Sequence, residues 1–320
     1  MASLAGTKST VQPFQRVLTL PPLLGPLPSN AEHTRRGIIS ATMSFDTVAI
    51  VGVGLIGGSI GLAARKRRAV RSVVGVGRSR ESLEHACQLG CIDAAVSLAD
   101  AAAQADLVIV CTPVDRVAEM VRAAAALARP NVVFTDAGST KDAIVRELDG
   151  SLPNGAEFVG SHPLAGSEKR GPEAARADLL DGRVVVVTPT ASSSPVTVGR
   201  LTEFWQSLGA RVLRLSPLDH DDAVATTSHL PHLAAAALVG ILPHSLLPLA
   251  ASGFRDTTRV AAGEADLWAA IFAQNRGAVL AALARYNEKL AEYRAAIEIN
   301  DMTTLRRLLA DAKVIRDAVG

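Results

Sequence analysis

Five short stretches of the 320-residue chain carry side chains capable of chemistry. Three follow apolar, strand-like runs: Thr112-Pro-Val, Asp136-Ala-Gly-Ser-Thr-Lys141 and Ser161-His-Pro-Leu-Ala-Gly166. In open α/β sheets ligands sit beyond the carboxyl ends of the strands, so polar groups placed there are the first to face one. His162, held by Pro163, is an imidazole able to titrate near neutrality and to exchange a proton with a hydroxyl. The other two stretches, Ser228-His-Leu-Pro-His232 and Phe254-Arg-Asp-Thr-Thr-Arg259, lie beyond the last strand-like run. His229 and His232 are about one helical turn apart and share a face. With no carboxylate or thiol beside them they do not form a metal site, and no metal is expected. Arg259 can grip a carboxylate through two parallel hydrogen bonds, although an arginine taken alone is more often a surface ion-pair residue.

The elements that must position these groups follow from the apolar pattern. From Thr47 short β-branched runs alternate with helical stretches: Val48–Val53, Ser72–Gly77, Asp106–Cys111 and Val132–Asp136 as strands, and Gly57–Arg67, Ser82–Leu89 and Val114–Ala128 as helices. Such alternation predicts βαβ units and a parallel sheet. Further strands at Glu157–Ser161, Arg183–Thr188 and Arg211–Leu215, with a helix at Val196–Leu208, carry the sheet to about residue 216. Helical periodicity then takes over through Asp219–Leu238, Glu264–Ala295 and Met302–Ala318. The expected domains are residues 44–216, a Rossmann-type α/β domain, and 217–320, all helical. The helices are too few for a generous core of their own, which predicts that they pair with a second copy in a homodimer.

Between the first strand and helix stands Gly52-Val-Gly54-Leu55-Ile56-Gly57, in the setting that gives this spacing meaning. Gly52 makes the tight turn, Gly54 admits a pyrophosphate close to the backbone and Gly57 lets the helix pack on the strand. The free N–H groups of the helix N-terminus face the phosphates. An NAD-specific domain places a carboxylate at the end of the second strand to hold the ribose diol. Gly77 stands there instead, followed by Arg78 and Ser79, which suit a 2′-phosphate. NADP is the expected cofactor, with NAD as the alternative, and Thr112 and Pro113 after the third strand are expected to line the same site.

Composition excludes other partners. With 33 basic and 31 acidic residues the formal charge is +2, no electrostatic basis for nucleic acid or an anionic membrane surface, so the ligand is a small molecule. Residues 228–252 are apolar but broken by Pro231, Pro243 and Pro248, and read as a buried helix pair rather than a membrane span. Cys87, Cys91 and Cys111 are odd in number and lack metal-ligand spacing, as in a reduced cytoplasmic protein. Residues 1–43 hold five prolines, one acidic and four basic residues without periodicity. They read as a disordered extension, or one that precedes a true start at Met43; a transit peptide for organellar import is the other reading.

Taken in order, Gly52–Ser59, Asp136–Lys141, Gly160–Glu168, Ser228–His232 and Phe254–Ala261 resemble the prephenate/arogenate dehydrogenase family of tyrosine biosynthesis, over roughly residues 46–295. The resemblance implies an oxidative decarboxylation: a cyclohexadienol gives hydride from C4 to the nicotinamide, loses its ring carboxylate as carbon dioxide and becomes aromatic. By the family's pattern His162 draws off the C4 hydroxyl proton, Ser139 orients His162 or that hydroxyl, and Arg259 binds a substrate carboxylate. His229, His232 and Trp268 then line the pocket, and Glu168 would favour the ammonium of arogenate over the keto group of prephenate. The expected enzyme is monofunctional. The competing readings are a β-hydroxyacid dehydrogenase or imine reductase, which would use a lysine of the helical domain as acid/base, and a non-enzymatic NADP sensor.

Overall fold

The computed structural model describes residues 44–167 and 169–319; the expected extension, residues 1–43, lies outside them. Strands and helices alternate as β1 (Thr47–Val51), α1 (Leu55–Lys66), β2 (Ser72–Val76), α2 (Arg80–Gln88), β3 (Ala94–Ala95), α3 (Leu98–Gln104), β4 (Leu107–Val110), α4 (Val114–Ala125), β5 (Val133–Asp136), α5 (Asp142–Leu148) and β6 (Glu157–Phe158). All six strands run parallel in the order β3-β2-β1-β4-β5-β6. This is the doubly wound order in which a ligand crevice opens between β1 and β4. The central strands are apolar throughout because both sheet faces are covered. Val48 and Ile50 enter one core with α1 and α2, while Ala49 and Val51 enter the other with α3, α4 and α5. Sequence periodicity misses β3, α3 and α5, each too short to complete a pattern.

The sheet does not continue to residue 216 as the sequence predicts. β7 (Gly160–Pro163), β8 (Val184–Thr188) and β9 (Arg211–Arg214), with α6 (Pro195–Ser207), form a separate three-stranded sheet in which β7 is antiparallel to β8. The chain changes sheets at Val159. Phe158 is buried in the core shared with α3, α4 and α5 and Val159 in the one shared with α1 and α2, as successive residues of an extended chain alternate.

The remainder is helical: α7 (Pro217–Val224), a π turn (Ala225–His229), α8 (Leu230–Gly240), a 3-10 turn (His244–Leu249), α9 (Ser252–Thr258), a 3-10 turn (Arg259–Ala262), α10 (Ala265–Gln274), α11 (Arg276–Glu298) and α12 (Met302–Val319). Of the two helices expected as continuous, the first runs unbroken from α7 into α8 through the π turn, which precedes Pro231 with its missing N–H, and the second is broken. Asn275 separates α10 from α11, which bend by 95°; its side chain bonds elsewhere, competing with a helical backbone. No single described helix is long and apolar enough to cross a membrane.

Helix α10 docks the helical part on the Rossmann part. Ile271 enters the core beneath α4, and Gln274 bridges the Val114 carbonyl (2.9 Å) to the Thr140 hydroxyl (2.6 Å). The helices' own core is small, centred on Ala225, Val279 and Ala282. Residues 228–252 are not the buried pair expected: Ile241 is 77% and Leu249 76% exposed in the single chain, and Val314 on α12 is 70% exposed.

Candidate active site

Beyond the carboxyl ends of β1, β2 and β4 lies a cleft of about 1100 Å³, lined by Val51–Gly54, Gly77–Ser79 and Cys111–Pro113. Gly52 turns the chain with φ +98°, and a Cβ there would sit 2.8 Å from the Cys111 carbonyl oxygen. A Cβ on Gly57 would strike the Gly52 carbonyl, whereas one on Gly54 meets nothing within 4 Å. The turn is therefore packed on its inner side and open at Gly54, as a phosphate requires. Leu55, Ile56 and Gly57 begin α1, where the N–H groups lack intrahelical acceptors. Thr112 supplies a buried hydroxyl with no partner among the described residues. These features fit a dinucleotide. At the far end of the cleft no carboxylate follows β2. Arg78 is exposed and makes no ion pair among the described residues, Arg80 is paired with Glu84, and Ser79 caps α2 by accepting from the Ser82 N–H.

Facing the helical part, Asp136 at the end of β5 organises the loop that follows. It is fully buried and ion-paired with the equally buried Lys141. It also accepts from the Gly138 N–H (2.9 Å) and from the Ser161 N–H (3.2 Å), which ties the loop to β7. Burial pushes the Asp136 carboxyl up, and the Lys141 ammonium and the two amides oppose that rise. Next along β7 is His162, with Nδ1 2.9 Å from Nε2 of His220 on α7. His220 Nδ1 lies 2.7 Å from Asp221 Oδ1. Asp221 accepts also from the backbone N–H groups of Lys141 (2.8 Å) and Asp142 (3.0 Å).

Burial, with His220, Lys141 and His229 nearby, holds His162 well below the usual imidazole range. Burial likewise pushes His220 down to about 2 and His229 to about 4. The histidines are thus neutral at physiological pH. The Asn275 amide donates to the Asp221 carbonyl (2.8 Å) and, with its second hydrogen, to His229 Nδ1 (3.2 Å). A neutral His229 accepting at Nδ1 carries its proton on Nε2. That N–H is buried and without a partner among the described residues, as is Nδ1 of His232. His232 stacks on Trp268 with centroids 3.6 Å apart and planes at 10°, and His229 meets the same indole edge-on at 6.1 Å.

The structure thus gathers His229, His232 and Trp268 into one wall and sets His162 beside the Asp136–Lys141 loop that carries Ser139. Ser139 is half-buried, and the hydrogen-bond partner of His162 Nδ1 is His220, on the helix α7 that packs against α5 and β8. Arg259 is exposed at the head of the 3-10 turn packed on α8, and Glu168 lies outside the described residues. Sequence reasoning missed His220, Asp221 and Asn275. The only signal was the Asp-His-Asp-Asp run Asp219–Asp222 opening a helix just after a strand. Among the described residues no His, Cys, Asp and Glu cluster could hold a metal, and the three cysteines are free.

Comparison with known proteins agrees with this geometry. Residues 60–214 match the family described as "Prephenate dehydrogenase, nucleotide-binding domain", and residues 216–311 match "Prephenate dehydrogenase, dimerization domain". A prephenate dehydrogenase from Bacillus subtilis (strain 168) is 35% identical over 282 residues, covering 86% of this chain and 76% of that one. A cyclohexadienyl dehydrogenase from Zymomonas mobilis is 36% identical over 268 residues, covering 80% of this chain and 90% of that one. The crystal structure of prephenate dehydrogenase from Aquifex aeolicus, in complex with hydroxyphenyl propionate and NAD+, superimposes with a TM-score of 0.81 at 29% identity, over 87% of this chain and all of that one. With a doubly wound nucleotide cleft and both halves matched in order, the chain belongs to the prephenate dehydrogenase family.

Proposed function

We propose that this protein oxidises and decarboxylates prephenate or arogenate with NADP, giving 4-hydroxyphenylpyruvate or tyrosine. Family membership carries the class, an NAD(P)-dependent oxidoreductase of tyrosine biosynthesis, and sets aside the β-hydroxyacid dehydrogenase and sensor readings. Within that class the observation that carries the site is a set of buried polar atoms left without partners. Such atoms are rare in folded proteins unless a ligand completes them. They lie at Thr112, His229 and His232.

In this reading residues 44–216 hold the nucleotide and residues 217–320 supply the substrate wall and the subunit contact. When bound, the nicotinamide accepts the hydride from C4. His162, neutral because burial disfavours its charged form, accepts the C4 hydroxyl proton and returns it to the oxygen as the ring becomes aromatic. Ser139 hydrogen-bonds the same hydroxyl, Arg259 and the His229 Nε2–H hold substrate carboxylate oxygens, and His232 with Trp268 closes the pocket over the ring. Arg78 and Ser79 select the 2′-phosphate, and Glu168 selects the arogenate ammonium. Exposed apolar side chains on α8, the turn after it and α12 support a homodimer, and the free thiols suit the cytoplasm.

The test is reduced-cofactor absorbance with each nucleotide and each substrate. NADP with prephenate or arogenate is expected to give turnover, and His162→Asn to abolish it with nucleotide affinity intact. Near-normal turnover in that variant refutes the role of His162, and a clear preference for NAD refutes that of Arg78.

A further inference from the structure

We propose that His220, with Asp221 behind it, is a positioning residue for this reaction: it fixes the tautomer of His162 so that Nε2 is the bare base, and it shares the charge His162 acquires. The inference rests on the reading of His162 as the base. It follows from counting donors and acceptors along one chain of groups, the buried Asp221 and His220 and the half-buried His162. Asp221 is 4% exposed, and both of its oxygens already accept backbone N–H groups, from Lys141 and Asp142. It therefore meets His220 Nδ1 as an acceptor, and His220 carries its proton there. A neutral His220 leaves Nε2 as a lone pair, so the 2.9 Å contact is a hydrogen bond donated by His162 Nδ1–H. The one remaining nitrogen of His162, Nε2, is then unprotonated.

The same chain serves the charged state. When His162 takes the hydroxyl proton at Nε2, its Nδ1–H becomes the donor of a charge-assisted bond to His220, and the Asp221 carboxylate lies one ring further on. His220 is fully buried, so the proton is held close to the ring that needs it back rather than passed to solvent. The balance requires this. The hydride leaves with the C4–H electron pair, the pair of the broken bond to carbon dioxide enters the ring, and the proton borrowed from the hydroxyl returns to the phenolic oxygen, with none released. An orienting carboxylate behind a catalytic imidazole plays the same part in hydrolytic triads; here a second imidazole is interposed.

Three substitutions test the proposal. His220→Leu removes the acceptor and is expected to lower kcat by about 100-fold, within the range for general-base catalysis, with the KM for the nucleotide unchanged. His220→Gln places an amide oxygen where Nε2 lies and is expected to restore kcat to within about tenfold of the parent, the gain expected of a general base restored in its working tautomer. His220→Asn keeps only the donor toward Asp221 and is expected to be as slow as His220→Leu. If His220→Leu also loses nucleotide binding, the Gln and Asn pair decides: Gln faster than Asn supports the proposal, and Asn equal to or faster than Gln overturns it. His162→Asn, run alongside, separates the two levels. An inactive His162→Asn with a His220→Leu of parental kcat overturns only the role of His220, whereas an active His162→Asn overturns the base on which it rests.

Discussion

Replacing Lys141 by Met breaks the ion pair beneath the active-site loop while nearly preserving volume. Both members are fully buried, and Asp136 keeps only two backbone N–H donors, those of Gly138 and Ser161, once the ammonium is gone. The bond from Lys141 Nζ to the Thr140 carbonyl (2.7 Å) is lost as well. Removing one partner of a buried pair costs about 3–5 kcal/mol because a charge is left uncompensated. At about 2–4 °C per kcal/mol that is on the order of 10 °C in Tm. The loss depends on pH with a definite sign. In the variant, burial acts on Asp136 with no ammonium opposing it, so its folded-state pKa lies above the unfolded value of about 3.9. Between the two values the folded protein holds a proton that the unfolded chain has released, and stability falls as pH rises through that window. Thermal unfolding of parent and variant, followed side by side at pH 5 and pH 8, is therefore expected to show the larger gap at pH 8. A gap below about 2 °C at pH 8, half of what 1 kcal/mol can produce in a protein of this size, refutes the reasoning. So does a gap that widens at pH 5.

The parent should itself lose stability in mild acid. His220 and His229 are held neutral when folded, at about 2 and about 4, whereas the unfolded chain takes up protons near the ordinary imidazole pKa of about 6.5. The unfolded state then binds more protons, so stability falls as pH drops below about 6.5, by up to about 1.4 kcal/mol per unit for each histidine; a Tm unchanged between pH 7 and pH 5 contradicts this. Gly263→Ala is expected to damage turnover far more than folding. Its Cβ would collide with the Trp268 indole nitrogen and approach His232 Cε1 to 3.1 Å, forcing apart the stacked pair, so KM for substrate should rise with Tm little changed. Parental KM in that variant excludes the stack from the pocket. Thr112→Val replaces a buried, unpartnered hydroxyl with a methyl, which should leave Tm equal or higher while weakening nucleotide binding. Unaltered affinity in a titration followed by nucleotide fluorescence removes Thr112 from the cofactor site.

The nucleotide half of the site was legible in the sequence because its determinants are local. Gly52, Gly54 and Gly57 serve one strand, turn and helix, and the absent carboxylate at Gly77 is read by counting along the next strand. His162 was singled out for the same reason, as a polar residue following an apolar run, although the structure sets it within β7, paired with Val186 of β8. The short elements β3 and α5 escaped because two or seven residues carry too little periodicity to separate from a loop.

What the tertiary structure alone decided is which distant groups meet. His220 lies 58 residues from His162 in the chain, and Asn275 lies 54 from Asp221. No spacing rule links such pairs; the packing of α7 against α5 and β8 and the bend at Asn275 bring them together. The sequence marked Ser139 as the group that orients His162 or the substrate hydroxyl but gave no sign of His220, which meets His162 Nδ1 only through proximity in space. By itself the sequence determined the layered fold and the nucleotide-binding turn and marked His162 as a candidate, since each of these readings depends on neighbours along the chain. The neutrality of that histidine, the direction of its proton and the buried pair beneath it depend on what excludes water around them, and only the folded chain supplies that.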